Sequence, residues 1–219
     1  MKRAIVVPVK EVNPKLRLAP LFSADDRGRL AWAMFEDVAR ALTRLRAPET
    51  VVVVTSSERA LARARELGWR GIRESEQISE SASVDRACAL LAAEGIDAVL
   101  RVPADVPLIE PDDVAQLLEA IPPAPGAVLV PSRDRLGTNA LARTPPTLFP
   151  ARFGSNSFVL HRQEAQRAQA EVRVVELPRL ALDLDDAPDA LELLERDIRS
   201  ETARVLRSLG VVERAARRG

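Results

Sequence analysis

Along this chain short, wholly apolar runs alternate with longer stretches whose apolar residues return every three or four positions. The first pattern suits strands buried on both faces of a sheet, and the second suits helices packed against it. Ala4-Ile5-Val6-Val7-Pro8-Val9 predicts the first strand. Ser23 caps a helix from about Ala24, with Leu30, Met34, Val38, Ala41 and Leu45 along one face. A second buried strand is expected over 51–54, then a helix over 57–67 that stops at Gly68. A weaker strand over 71–74, a helix over 83–93 closed by Gly95 and a strand over 98–102 follow. Pro111 opens a helix carrying Val114, Leu117 and Leu118, and a strand over 127–130 comes after the Pro122 to Gly126 breaker cluster.

From 132 to 157 the texture changes to Gly, Pro, Asn, Thr and Arg without periodicity, which predicts a long ordered binding loop interleaved with Phe149, Phe153 and Phe158. Beyond it the pattern predicts a helix over 159–169, strands over 172–176 and 180–184, and a helix over 189–199. Alternating strands and helices argue for an α/β fold, a mostly parallel central sheet with helices on both faces. No linker divides the chain, so 1–212 reads as one domain and 213–219 as a basic tail that frays.

Composition narrows the function. The 219 residues balance 32 Lys plus Arg against 32 Asp plus Glu, so no bulk field favours nucleic acid or an anionic membrane. Aromatics make up 3% and Tyr is absent, which argues against a base-stacking surface. One cysteine, Cys88, and one histidine, His161, leave no internal disulfide and no structural zinc site. The first apolar run is too short for a secretion signal, and no stretch approaches the roughly 20 apolar residues of a membrane span. A cytoplasmic protein is expected.

Ligands of open α/β sheets sit beyond the carboxyl ends of the strands, and three features fall there. The loop after the first strand carries Lys10, Lys15 and Arg17 within eight residues. It reads either as a solvated basic loop or as a triphosphate site that stabilises a leaving pyrophosphate. It is not a P-loop, since the Gly-Lys-Ser/Thr ending is missing. Asp105, between Pro103 and Pro107, reads either as a turn aspartate or as a ligand of Mg²⁺, a hard cation that takes one or two carboxylates plus phosphates. Asp183 and Asp185, two apart on an expected strand, face one way and repel unless a cation or proton relieves them. Asp186 and Asp189, with Pro188, suit the cap of the following helix. The stretch with Gly137, Thr138, Gly154 and Ser157 can form an anion nest. His161 reads as a surface or packing histidine at a helix start in preference to a general base.

Taken in order, these segments resemble the guanylyltransferases of coenzyme F-420 biosynthesis. The family's "PVK" and "AKTRLAP" stand here as Pro8-Val9-Lys10 and Pro14-Lys15-Leu16-Arg17-Leu18-Ala19-Pro20, and its "DLP" as Asp105-Val106-Pro107. Its "GTNAL" is Gly137 to Leu141, its "FGxxSFxxH" is Phe153 to His161, and its "LDIDTPxDL" is Leu182 to Leu191. The resemblance implies a single Rossmann-like nucleotidyltransferase domain of the glycosyltransferase-A type. It implies GMP transfer from GTP to 2-phospho-L-lactate, phosphoenolpyruvate or 3-phospho-D-glycerate, and a homodimer. It assigns Mg²⁺ to Asp105, Asp183 and Asp185, the substrate carboxylate to Thr138, Gly154 and Ser157, and the triphosphate to Lys10, Lys15 and Arg17. The chain departs from the family pattern at Asp85, where an Asn contacting the nucleotide is expected, and at Cys88, where a bulkier residue is expected. Cys88 reads first as an ordinary core residue of its helix; alternatively the space left there would suit an acid with an added hydroxyl, a lean towards 3-phospho-D-glycerate.

Overall fold

The structure, a computed structural model, describes residues 1–10, 15–45, 50–76, 78–196 and 199–216. Among the described residues seven strands form one sheet: β1 (Arg3–Pro8), β2 (Thr50–Thr55), β3 (Arg70–Arg73), β4 (Ala98–Arg101), β5 (Gly126–Pro131), β6 (Thr138–Thr144) and β7 (Glu171–Val174). Their spatial order is β3-β2-β1-β4-β6-β5-β7. Pairing is parallel from β3 through β4 and between β5 and β7, while β6 runs antiparallel to both neighbours. The strand order reverses direction at β1, so the ends of β1 and β4 flank the crevice where α/β sheets bind ligands.

The apolar runs of β1 and β2 follow from burial on two sides. Ile5 and Val7 face the side covered by α1 (Ala24–Thr43), α2 (Glu58–Glu66) and α4 (Pro111–Ala120), packing with Phe35, Val38, Ala60 and Leu117. Ala4 and Val6 face the opposite side and meet Val84, Ala87 and Leu91 of α3 (Glu80–Ala93). Further along, α5 (Ser157–Arg167) covers β5 and β6 through Phe158 and Ala165. Ser23, Ser57 and Ser79 cap α1, α2 and α3 by accepting from the backbone amides of Asp26, Ala60 and Ala82.

Three expectations are corrected. The stretch 132–157 is not one long loop, because β6 runs through it at the centre of the sheet, buried at every position. Its Thr138, Asn139 and Arg143 hide the apolar signature of a central strand, yet each of these side chains has hydrogen-bond partners. Residues 180–184 form no strand. Leu180, Leu182 and Leu184 are buried, and Leu184 N–H donates to the Asp105 carbonyl at 3.1 Å, so the alternation survives without a ladder. The last expected helix ends early as α6 (Ala187–Glu195), and α7 (Glu201–Ser208) and α8 (Val211–Ala216) follow it. The helix α7 docks on α1 because buried Asp37 accepts from Glu201 N at 3.0 Å, Thr202 N at 2.8 Å and the Thr202 hydroxyl at 2.6 Å. The basic tail is thus helical through Ala216, and 217–219 lie outside the described residues.

Candidate active site

Two clefts meet beyond the ends of β1 and β4. The first, about 450 Å³, has apolar walls from Val9, Leu16, Ala31 and Met34, with Lys10, Lys15 and Arg17 along it. The second, about 530 Å³, is lined by polar groups, among them Thr138, Asn139, Gly154, Ser157 and Asp183. Arg17, Glu80, Arg101, Asp105 and Asp185 line both.

The junction is built from three loops. A single turn of 3-10 helix, Leu16–Leu18, roots the cationic loop through fully buried Leu18. Lys15 precedes it in a left-handed conformation at φ 52°, uncommon for a residue with a Cβ, which marks a position held by its surroundings. Its ammonium donates at 2.7 Å to both Asp105 Oδ2 and Asp185 Oδ1, and only 8% of its side chain is exposed. Arg17, 74% exposed, reaches to 3.7 Å from Asp185. Lys10 is exposed on the first cleft, and the intervening 11–14 lie outside the described residues.

Charge balance at the junction is uneven. Burial works against the Lys15 ammonium, but Asp105 and Asp185 outweigh it and hold the lysine above its ordinary range. Burial likewise penalises the Asp105 carboxylate, and the contact with Lys15, helped by Arg101, still holds it below the usual carboxylate range. Asp183 has no such cation. Burial first, then repulsion from Asp105 and Asp185, push it up to about 6, opposed in part by Asn139 Nδ2 at 3.2 Å. Among the described residues no three acidic, His or Cys side chains stand together at metal-ligand spacing, and the Lys15 ammonium lies between two of the carboxylates. The donor set still fits a hard divalent cation: three carboxylates on one cleft, one of them facing like charges without a cation of its own.

The second cleft is held by short, fixed groups. Gly154 has φ +117°, a conformation open essentially to glycine, and a Cβ on Gly137 would stand 2.9 Å from Ser132 Oγ. His161 is fully buried. Its Nε2 accepts from Arg152 N–H at 2.8 Å, so Nδ1 carries the proton and donates to Thr138 Oγ1 at 2.9 Å. Burial, with Arg101, Arg143 and Arg152 nearby, pushes the imidazole down to about 3, which keeps it neutral. The Thr138 hydroxyl therefore accepts from the histidine and keeps its own hydrogen for a ligand.

Asp186 and Asp189 exchange reciprocal bonds as the capping box of α6, and Asp189 also accepts from Asp185 N–H at 3.0 Å. Asp85 and Cys88 stand away from the clefts, Cys88 as a core residue of α3. Neither lines either cleft. Asp85 pairs with Arg143 at 2.7 Å and accepts from Ala151 N–H, pinning the segment after β6 to α3. Cys88 is fully buried with Sγ 3.1 Å from Arg143 Nη2, so its smaller size makes room for a guanidinium and not for an acceptor acid. Burial pushes its thiol up.

A model of the guanylyl transferase family described as CofC-like matches residues 3–218. The chain belongs to that family. A phosphoenolpyruvate guanylyltransferase of Rubrobacter xylanophilus is 41% identical over 189 residues, covering 86% of this chain and 91% of the relative. A 3-phospho-D-glycerate guanylyltransferase of Colwellia psychrerythraea is 33% identical, covering 89% and 91%. A 2-phospho-L-lactate guanylyltransferase of Methanothermobacter thermautotrophicus is 33% identical, covering 89% and 85%. Among solved structures, a Desulfovibrio desulfuricans protein superposes with TM-score 0.71 at 20% identity, covering 95% of each chain. A cytidylyltransferase of Leptospira borgpetersenii gives TM-score 0.58 at 14% identity, covering 96% and 94%. At these identities the structural likeness speaks for the fold, a nucleotidyltransferase α/β domain, and family membership makes the chain a nucleotidyltransferase.

The sequence reading missed Arg101. It stands on β4, 5% exposed, in a strand that otherwise reads as apolar core, and it lines both clefts. A charged residue inside a buried run was the available signal, since such a side chain must find partners or a ligand. Among the described residues no helix is long and apolar enough to cross a membrane.

Proposed function

We propose that this chain transfers GMP from GTP to the phosphate of a three-carbon acid, phosphoenolpyruvate, 2-phospho-L-lactate or 3-phospho-D-glycerate, as a cytoplasmic step of coenzyme F-420 biosynthesis. The observation that carries this reading is the meeting of a cationic, apolar-walled cleft with a polar one at the Lys15–Asp105–Asp185 junction. A triphosphate laid along Lys10, Lys15 and Arg17 brings its α-phosphorus to the junction. The acid lies in the second cleft, its carboxylate held by Thr138, Gly154 and Ser157.

An oxygen of the acceptor phosphate attacks the α-phosphorus and a new P–O–P bond forms. The bond to the β-phosphate breaks, and its electron pair leaves with pyrophosphate. The attacking phosphate is already ionised, so no general base is needed, which agrees with a histidine held neutral and occupied at both nitrogens. Asp105, Asp183 and Asp185 are the residues that would hold Mg²⁺, which supplies charge screening between two polyanions and orientation of the nucleophile. Lys10 and Arg17 stabilise the charge that builds on the leaving pyrophosphate. Cys88 gives no preference among the three acids, since it does not border the cleft. Changing Asp105 to Asn is expected to cut pyrophosphate release by about a hundredfold or more while thermal unfolding stays cooperative; a variant turning over at the wild-type rate would remove Asp105 from the mechanism.

A further inference from the structure

Arg101 is the most buried charge on the shared wall of the two clefts, and its hydrogen bonding is incomplete in an informative way. Nη1 donates to the Thr138 and Asn139 carbonyls, each at 3.3 Å, which fixes the guanidinium to β6. The Phe153 ring lies against it, 4.3 Å from the guanidinium carbon to the ring centroid, so its plane is fixed as well. Nη2 is taken by the Glu80 carboxylate. Nε, equally buried, has no partner among the described residues. Nε and Nη2 form the edge of a guanidinium that grips a carboxylate or phosphate with two parallel bonds. Here that edge holds one carboxylate oxygen and one orphan donor.

Glu80 sits at the first turn of α3, its side chain 38% exposed, and it also lines both clefts. It can leave without disturbing the core. We propose that the Nε–Nη2 edge of Arg101 is a phosphate site at the junction, that Glu80 occupies it as counter-ion when substrate is absent, and that substrate phosphate displaces Glu80. This rests on the GMP-transfer reading for its substrate: the phosphate gripped is the one undergoing bond change, either the α-phosphate or the attacking phosphate. Arg101 then acts as a catalytic residue. Its charge faces the pentacoordinate phosphorus, where Lys10 and Arg17 instead follow the departing end of the triphosphate.

The test uses the full-length protein with two variants and two readouts. Binding of GMP, which carries the α-phosphate, and of each of the three acids, which carry the attacking phosphate, is measured by calorimetry independently of turnover, and pyrophosphate release from GTP with each of the three acids reports the reaction. Arg101→Lys keeps the charge and loses the fork, so it is expected to weaken binding of GMP or of the acid by about tenfold and lower kcat by at least as much. Glu80→Gln removes the competing carboxylate, so it is expected to tighten binding of the same ligand by several-fold, an effect that a purely structural Arg101 would not produce. Wild-type binding in both variants, or weaker binding in Glu80→Gln, overturns the proposal. If wild type releases no pyrophosphate from GTP with any of the three acids, the GMP-transfer reading fails, and the two binding measurements still decide whether Arg101 forms a phosphate site.

Discussion

The two clefts solve different problems with different materials. The first holds its cations on long side chains, Lys10 and Arg17, that extend into solvent from a loop rooted by Leu18. The second uses hydroxyls, a glycine at positive φ and a neutral histidine, all fixed by β6 and the start of α5. Long exposed cations attract any polyphosphate and adapt to it, at the cost of screening by salt. Short buried donors tolerate little displacement, and a site built from them rejects a ligand lacking the matching acceptor. The first cleft, proposed for the nucleotide, is thus built for charge, and the second, proposed for the acceptor, for shape. The Asp105 and Asp185 carboxylates line both clefts, and Asp183 stands beside them in the second.

That contrast can be broken first at the boundary. Asp183→Asn is expected to lower kcat by about a hundredfold or more, since it removes one of the carboxylates proposed to hold Mg²⁺. The same change is expected to stabilise the folded protein in EDTA. Asp183 has a folded pKa of about 6, above its ordinary value, so the stability it contributes is complete at low pH and is lost as pH rises through about 6. Thermal unfolding in EDTA at pH 8 should therefore place Asp183→Asn roughly 1–2 kcal/mol above wild type, a gap that closes below pH 4. A less stable variant at pH 8 would mean that Asp183 is well compensated in the empty site.

The next effect belongs to the acceptor side. Thr138→Val keeps the shape and removes the hydroxyl, leaving the His161 donor without its acceptor. KM for the acid should rise by about tenfold with little change in KM for GTP. An equal rise in both would erase the distinction between the clefts. Lys10→Met should give the smallest effect, about a two- to fivefold rise in KM for GTP that fades as salt increases, because the residue is exposed. A large, salt-independent loss would show that this cation is buried in the complex.

Much of the fold was legible because β1, β2 and β4 are buried on both faces and their apolar runs have few other readings. The same logic hid β6. Its central position demands burial, but the cleft beside it demands polar side chains, and Thr138, Asn139 and Arg143 carry both duties through hydrogen bonds. The alternating Leu and Asp of 182–185 marked correctly which side faces the core, although no ladder forms there. The helices α7 and α8 were missed because α7 depends on a partner distant in sequence, the buried Asp37 carboxylate. Lys10, Lys15, Arg17 and Asp105 could be placed beside the clefts from the ends of β1 and β4, whereas Asp183 and Asp185 reach them from a segment that forms no strand. Asp85 and Cys88 could not be placed without knowing that Arg143 turns inward between them. The orphan Nε of Arg101 is visible only in three dimensions.

The most direct measurement of the central claim is a phosphorus NMR spectrum of the wild-type protein incubated with GTP, Mg²⁺ and each of the three acids in turn. GMP transfer predicts free pyrophosphate together with the paired resonances of a new diphosphate linkage for at least one acid, and neither signal when the acid is omitted. GTP that stays intact with all three acids would contradict it.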